Sequence, residues 1–222
     1  MQNMRKNKTP ILVTLLYFSL SLLYVIFRYV LLKKTAIGEN EIVFLNKAFA
    51  LTAVFLLFQI AYDKVHQIKA KNLDKPERKY FFKFYGTTST AIMFIHAFFS
   101  VTIFDEIHLP QYFTNGFLNE TGDMTLLWGI SALSIFMAIA IIGVTAKNYN
   151  SKRRNVPFLI SLGYLFLLFH VFTLGESCWF SAKTLIGYGI PVSLISFILI
   201  LTGAYFNIKV TREKRKSTFE KK

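Results

Sequence analysis

The sequence predicts an all-α fold, a polytopic membrane bundle of about six transmembrane helices. Three observations predict it. Of the 222 residues, 54% are hydrophobic and 17% aromatic, more apolar surface than a water-soluble domain of this length buries. That surface is collected into runs long enough to cross a hydrocarbon core of ~30 Å, which takes roughly 20 helical residues. The charges are collected between those runs, in an alternating pattern.

Taken in order, the first run is about Ile11–Leu32, with one charge, Arg28, near its end. It is longer than the apolar stretch of a cleavable signal, and Lys33-Lys34-Thr35 is no small-residue cleavage site, so it reads as a retained span. The second is about Ile42–Tyr62, with Lys47 near its start. The third is about Phe81–Phe104, the fourth Thr125–Ala146, the fifth Pro157–Leu174 and the sixth Leu185–Ile208. Within lipid each backbone N–H and C=O must be paired inside its own segment, so each run is predicted to be a helix. No repeat, low-complexity tract or soluble domain interrupts them, and residues 1–222 read as a single transmembrane domain.

The loops orient the chain. Arg5, Lys6 and Lys8 precede span 1, and Lys64, Lys69, Lys71, Lys75, Arg78 and Lys79 follow span 2. Lys147, Lys152, Arg153 and Arg154 follow span 4, and Lys209, Arg212, Lys214, Arg215 and Lys216 make the tail basic. The stretch Asp105–Asp123 has no Lys or Arg, and the loop after span 5 has only Lys183. Basic loops stay cytoplasmic, so a plasma (inner) membrane location with both termini cytoplasmic is expected. The formal charge of +14 is thus divided among membrane-flanking segments, which excludes a nucleic-acid groove.

The single cysteine, Cys178, forms no intrachain disulfide and reads as an unpaired loop thiol; no Cys/His cluster suggests zinc or iron–sulfur. Serines and threonines are plentiful in spans 3 and 4, but none has a neighbouring His/Asp pair, so hydrolysis has no support. His66 and His108 fall in loops and read as solvated. His96 and His170 fall inside apolar spans, where an ionisable group is expensive and turns towards the bundle interior and a partner.

These two residues match in depth. His96 lies 13 residues beyond Lys83, and His170 lies 13 beyond Pro157, on helices predicted to run in the same direction. At 1.5 Å per residue both are ~20 Å from the cytoplasmic edge. Two imidazoles so placed suit the axial sites of one haem b, a cofactor that helix bundles hold between their helices. Gly86, Ser89 and Ser100 share a stripe with His96, and Gly163 and Thr173 share one with His170. Small residues there leave room for a macrocycle, and they equally allow close helix packing. Arg28 and Lys47 lie near the outer ends of spans 1 and 2, where they suit haem propionates or snorkel to head groups.

The stretch Arg78-Lys79-Tyr80-Phe81-Phe82-Lys83-Phe84-Tyr85-Gly86, running on to Phe94-Ile95-His96-Ala97-Phe98, resembles the ferric-reductase-like transmembrane family. That group includes the haem-binding membrane subunit of the bacterial methionine sulfoxide reductase system. Thr121-Gly122-Asp123 and the segment Leu162-Gly163-Tyr164-Leu165 through Phe169-His170 resemble its later helices, so the likeness spans about Arg78 to Gly175. The resemblance implies a haem b electron-transfer protein, the membrane component of an iron-dependent oxidoreductase, with His96 and His170 as iron ligands. Family members commonly carry a second histidine about thirteen residues before each of these, and here Phe82–Lys83 and Pro157 stand there. One haem is therefore expected. No GxGxxG occurs, so electrons are expected from a separate quinone or flavoprotein donor, towards an acceptor at the acidic loop of Asp105, Glu106, Glu120 and Asp123. The alternative is a non-redox membrane scaffold, accessory subunit or small transporter whose histidines serve packing.

Overall fold

A computed structural model describes residues 2–35, 41–69, 76–145, 156–180 and 189–219. Six long helices carry the architecture: α1 Gln2–Ile26, α2 Glu41–Lys69, α3 Pro76–Ile103, α4 Glu120–Thr145, α5 Val156–Trp179 and α6 Val192–Phe219. Each contains a segment of 21 to 27 residues that is long and apolar enough to cross a membrane. The chain is a multi-pass membrane protein of the all-α class.

Sequence neighbours pack antiparallel. Tyr17 meets Gln59 while Tyr29 meets Phe44, so α1 and α2 run in opposite directions. Asn46 meets Ser100 while Ser89 meets Ala53, which sets α2 against α3. Thr125 meets Thr173 while Phe136 meets Tyr164, which sets α4 against α5. Helices α2, α3, α4, α5 and α6 close a ring in that order, with α1 laid on the outside of α2. The α3–α4 seam is its most loosely packed contact, and α3 and α5 are not packed directly on each other. Leu12, Leu16, Leu23, Phe98, Val101, Phe158 and Leu201 are exposed around the outside, as lipid-facing side chains should be.

The helices overrun the apolar spans because backbone pairing does not stop where the lipid does, and Lys, Glu and Gln extend a helix well. His66, expected in a loop, stands in α2 with its ring 4.3 Å from that of Tyr62. Cys178, also expected in a loop, falls in the last turn of α5. Helix α6 begins at Val192 rather than Leu185: Gly189 with φ +71° and then Pro191 precede it, and residues 185–188 lie outside the described segments. The basic loop of Lys147, Lys152, Arg153 and Arg154 and the residue Lys183 also lie outside them.

Tyr164 ties the ring together. Its buried hydroxyl donates to the Leu57 carbonyl oxygen at 3.0 Å, so α5 reaches α2 across α6. Gly203 of α6 makes the crossing feasible, since a Cβ there would lie 3.0 Å from Tyr164 Cε1. Leu57, Phe136 and Ile200 pack around it as the central core.

The segment between α3 and α4 is ordered by local chemistry. Asp105 caps a turn, Pro110–Tyr112 forms one 3-10 turn, and β1 Phe113–Thr114 pairs with β2 Phe117–Leu118. Asn115 and Gly116 supply the two positive φ angles, 54° and 80°, that a two-residue hairpin turn requires. Asn119 Oδ1 then accepts the Gly122 N–H at 2.9 Å and caps α4. A Cβ at Gly122 would stand 2.7 Å from the Tyr112 carbonyl oxygen, so glycine is needed sterically at that position. Tyr112 is buried, stacks on Phe104 at 5.8 Å and donates to Leu174 O at 3.1 Å.

Replacing Tyr164 with Phe removes one buried hydrogen bond while keeping the ring. Unfolding in mixed detergent should show a loss of about 1 kcal/mol, the usual net worth of such a bond. An unchanged transition would mean that the Tyr164–Leu57 link does not hold the ring closed.

Candidate bis-histidine site

Helix α3 buries Tyr85, Ser89 and Met93 at helical spacing, and half-buried His96 continues that face. Helix α5 buries Tyr164, Leu167 and Val171, and half-buried His170 lies one turn beyond Leu167. Both histidines therefore sit beside core-facing stripes of two helices that are not neighbours in the ring. The two rings are close enough to interact electrostatically, and Lys47 is close enough to His96 to do so as well.

Each ring is fixed by one nitrogen. His170 Nδ1 lies 2.8 Å from the Thr125 carbonyl oxygen on α4. A carbonyl only accepts, so the proton is on Nδ1. His96 Nδ1 lies 2.6 Å from Asn46 Oδ1 and 3.2 Å from Asn46 O on α2, which gives the same tautomer. Ser100 in turn bonds the Asn46 amide, with Nδ2 donating to Ser100 Oγ at 3.1 Å. No described residue bonds to either Nε2, so each ring keeps its second nitrogen as a lone-pair donor. The anchors also match in depth. Asn46 is five residues from the start of α2 at Glu41, and Thr125 is five from the start of α4 at Glu120.

Glycine makes one of these seats. A Cβ at Gly129 would lie 2.9 Å from both Nδ1 and Cε1 of His170, so any side chain there would drive the imidazole off the Thr125 carbonyl. Asn46, Thr125 and Gly129 escaped the sequence reading. Only Asn46, a polar residue inside an apolar run, left a signal that could have been followed.

The sequence-predicted companions separate into two groups. Arg28 and Lys47 come together. The backbone widens to an i+5 hydrogen-bonding turn over Phe27–Leu32, with Lys33 N donating to Arg28 O at 3.1 Å, and such turns are frequent at functional sites. Within it the Tyr29 ring has Arg28 Cζ at 4.9 Å, Lys47 Nζ at 5.2 Å and Lys33 Nζ at 5.4 Å from its centroid. Arg28 is 4% exposed, and its Nε has no partner among the described residues. A buried guanidinium beside two ammonium groups is a place for an anion. Gly86 and Gly163 lie elsewhere. Gly163 packs on α4, where a Cβ would meet Phe136 Cζ at 3.0 Å. Gly86 borders a separate cavity, with only Ile60 within 4.0 Å of its would-be Cβ.

Among the acidic residues of the α3–α4 segment, Asp105 has a local partner in His108. Asp105 Oδ1 accepts both the His108 N–H and its ring Nδ1 at 2.8 Å, and these bonds hold its carboxyl below the usual carboxylate range. Glu120 and Asp123 occupy the first turn of α4, where negative charge suits the helix dipole.

No protein-family model matches this sequence, and no curated protein matches it. Among the described residues there is no group of three or more His, Cys, Asp or Glu suited to a bare metal ion.

Two outcomes follow from this geometry. Gly129→Ala should displace His170, so nitrogen-15 histidine spectra should lose the Nδ1-protonated signature at one ring, with a stability cost of about 1–3 kcal/mol for overpacking. An unshifted spectrum would mean the seat tolerates a side chain. The depressed Asp105 carboxyl stabilises the turn fully above the ordinary carboxylate range, and that contribution is lost as pH falls through its lowered value. An NMR titration should therefore place Asp105 below an aspartate in an unfolded peptide, and His108→Ala should raise it; a normal titration midpoint would contradict the bonding.

Proposed function

We propose that this protein is a haem b membrane electron-transfer protein with His96 and His170 as axial ligands. The observation that carries the reading is a pair of imidazoles, each with Nδ1–H tied to a carbonyl oxygen of a neighbouring helix and with no bond to Nε2 from any described residue. Metal-bound histidines are fixed in this way, and the second bond orients the ring and strengthens the ligand.

The haem supplies one-electron exchange between ferric and ferrous iron. The chain's own residues do the rest. Asn46 and Thr125 hold the two rings in one tautomer, and Gly129 gives His170 its place. Arg28 and Lys47, gathered around Tyr29, suit the propionates, because a buried guanidinium gains most from a carboxylate. The surrounding apolar helices keep water from the site and so help set its potential.

The distribution of basic residues supports a plasma (inner) membrane topology with both termini in the cytoplasm, and the histidines lie in the half of the bundle nearer the hairpin. Electrons would pass from a separate quinone or flavoprotein donor towards the outer face. The rival reading is a scaffold, accessory subunit or small transporter, in which the same Nδ1 bonds only satisfy buried rings.

A dithionite-reduced minus oxidised spectrum of protein purified with haem supply should show a b-type α-band at about one haem per chain, lost in His96→Ala and in His170→Ala. Arg28→Leu should lower haem retention without removing the band. A colourless, folded protein, or two alanine variants with full haem content, would refute the proposal.

A further inference from the structure

A second site lies in the other half of the bundle, nearer the termini. A cavity of about 180 Å³ runs along the loose α3–α4 seam. Gly86 is ten residues before His96 on α3, so the cavity mouth is ~15 Å along the helix from the histidine pair. The volume is on the scale of the ~150 Å³ apolar cavity that accepts benzene, and so suits one ring rather than a macrocycle. No described wall residue is a histidine.

The wall is apolar apart from Lys64, Lys83, Asn207 and three hydroxyls. The hydroxyls of Thr87, Thr90 and Tyr164 already donate to backbone carbonyls. Asn207 of α6 is 5% exposed, and its Nδ2 has no acceptor among the described residues. Leaving a buried amide N–H unpaired is costly, and a carbonyl group in the cavity beside it would remove that cost. The rim carries Lys83 and Gly143, both exposed, and nothing lies within 4 Å of a Cβ built on Gly143. The seam therefore offers a way in from the lipid.

We infer that this cavity binds the ring of a monocyclic quinone, its carbonyl accepting from Asn207 and its tail leaving between α3 and α4. The choice of a quinone rests on the electron-transfer reading above; the ring size, the acceptor and the lipid route rest on the cavity. It gives the separate donor a definite place on the same helices, α3 and α5, that carry the two histidines.

The test uses the full chain in nanodiscs free of quinone, with a photoreactive azido-benzoquinone as probe and decylubiquinone as competitor. Labelling should map to α3, α4 and α6 at the cavity and be suppressed by the competitor. Ala140→Leu fills the space and should cut labelling about tenfold, and Asn207→Leu should weaken competition by about the same factor. Circular dichroism and gel filtration establish that each variant is folded, and either one alone suffices. Labelling spread over the lipid-facing surface, or unaffected by a folded variant, would overturn the inference. Cavity labelling in a protein that proves unable to bind haem would uphold this site and refute the haem reading; a haem-loaded protein labelled elsewhere would do the reverse.

Discussion

The hydrogen bond from each intramembrane imidazole to a carbonyl oxygen on a neighbouring helix is the constraint around which the rest is organised. In a hydrocarbon medium an imidazole N–H needs an acceptor, and helical carbonyls are already used by their own helix. His170 shares the Thr125 carbonyl, and it reaches that oxygen because Gly129, one turn on, has no side chain. His96 uses Asn46, which brings its own side-chain oxygen, and Ser100 steadies that amide. Once both Nδ1 protons are committed, both Nε2 atoms are left as donors of lone pairs.

The same economy of polar groups shapes the bundle elsewhere. Tyr164 spans from α5 to a carbonyl of α2, and Gly203 clears its path. Ser89 reaches the Ala53 carbonyl, and Trp179 donates to Ser193. Between lipid-facing surfaces there is little hydrophobic gain in bringing helices together, so small residues and these interhelical bonds carry the specificity. Three polar groups stand outside the pattern, the Ser21 Oγ, the Arg28 Nε and the Asn207 Nδ2, buried without described partners. The last two border the sites proposed above, one for propionates and one for a quinone carbonyl.

The sequence was legible where its physics is one-dimensional. Apolar run length predicted six helices, because it depends only on spacing along one chain. Arg28 and Lys47 were each placed near the same membrane edge, but that both lie against the Tyr29 ring depends on how α1 packs on α2. What escaped depends on the partner helix. Nothing in Trp128-Gly129-Ile130 says that an imidazole from α5 will rest on the glycine. Gly86 and Gly163 looked like equivalent small residues on histidine stripes, but one borders a cavity and the other packs on Phe136. The Asn115-Gly116 hairpin was overlooked although its signal was local: a two-residue turn dipeptide between Phe-Thr and Phe-Leu. His66 was misplaced because the end of an apolar run was taken as the end of a helix.

The central claim is that two imidazoles meet one iron through Nε2. Low-temperature electron paramagnetic resonance of the oxidised, haem-supplied protein tests it most directly, because spin state reports the axial ligands. The account predicts a low-spin ferric signal of two-imidazole ligation in the wild-type protein. A high-spin signal in the wild type would contradict it, because it would leave the iron with no second imidazole.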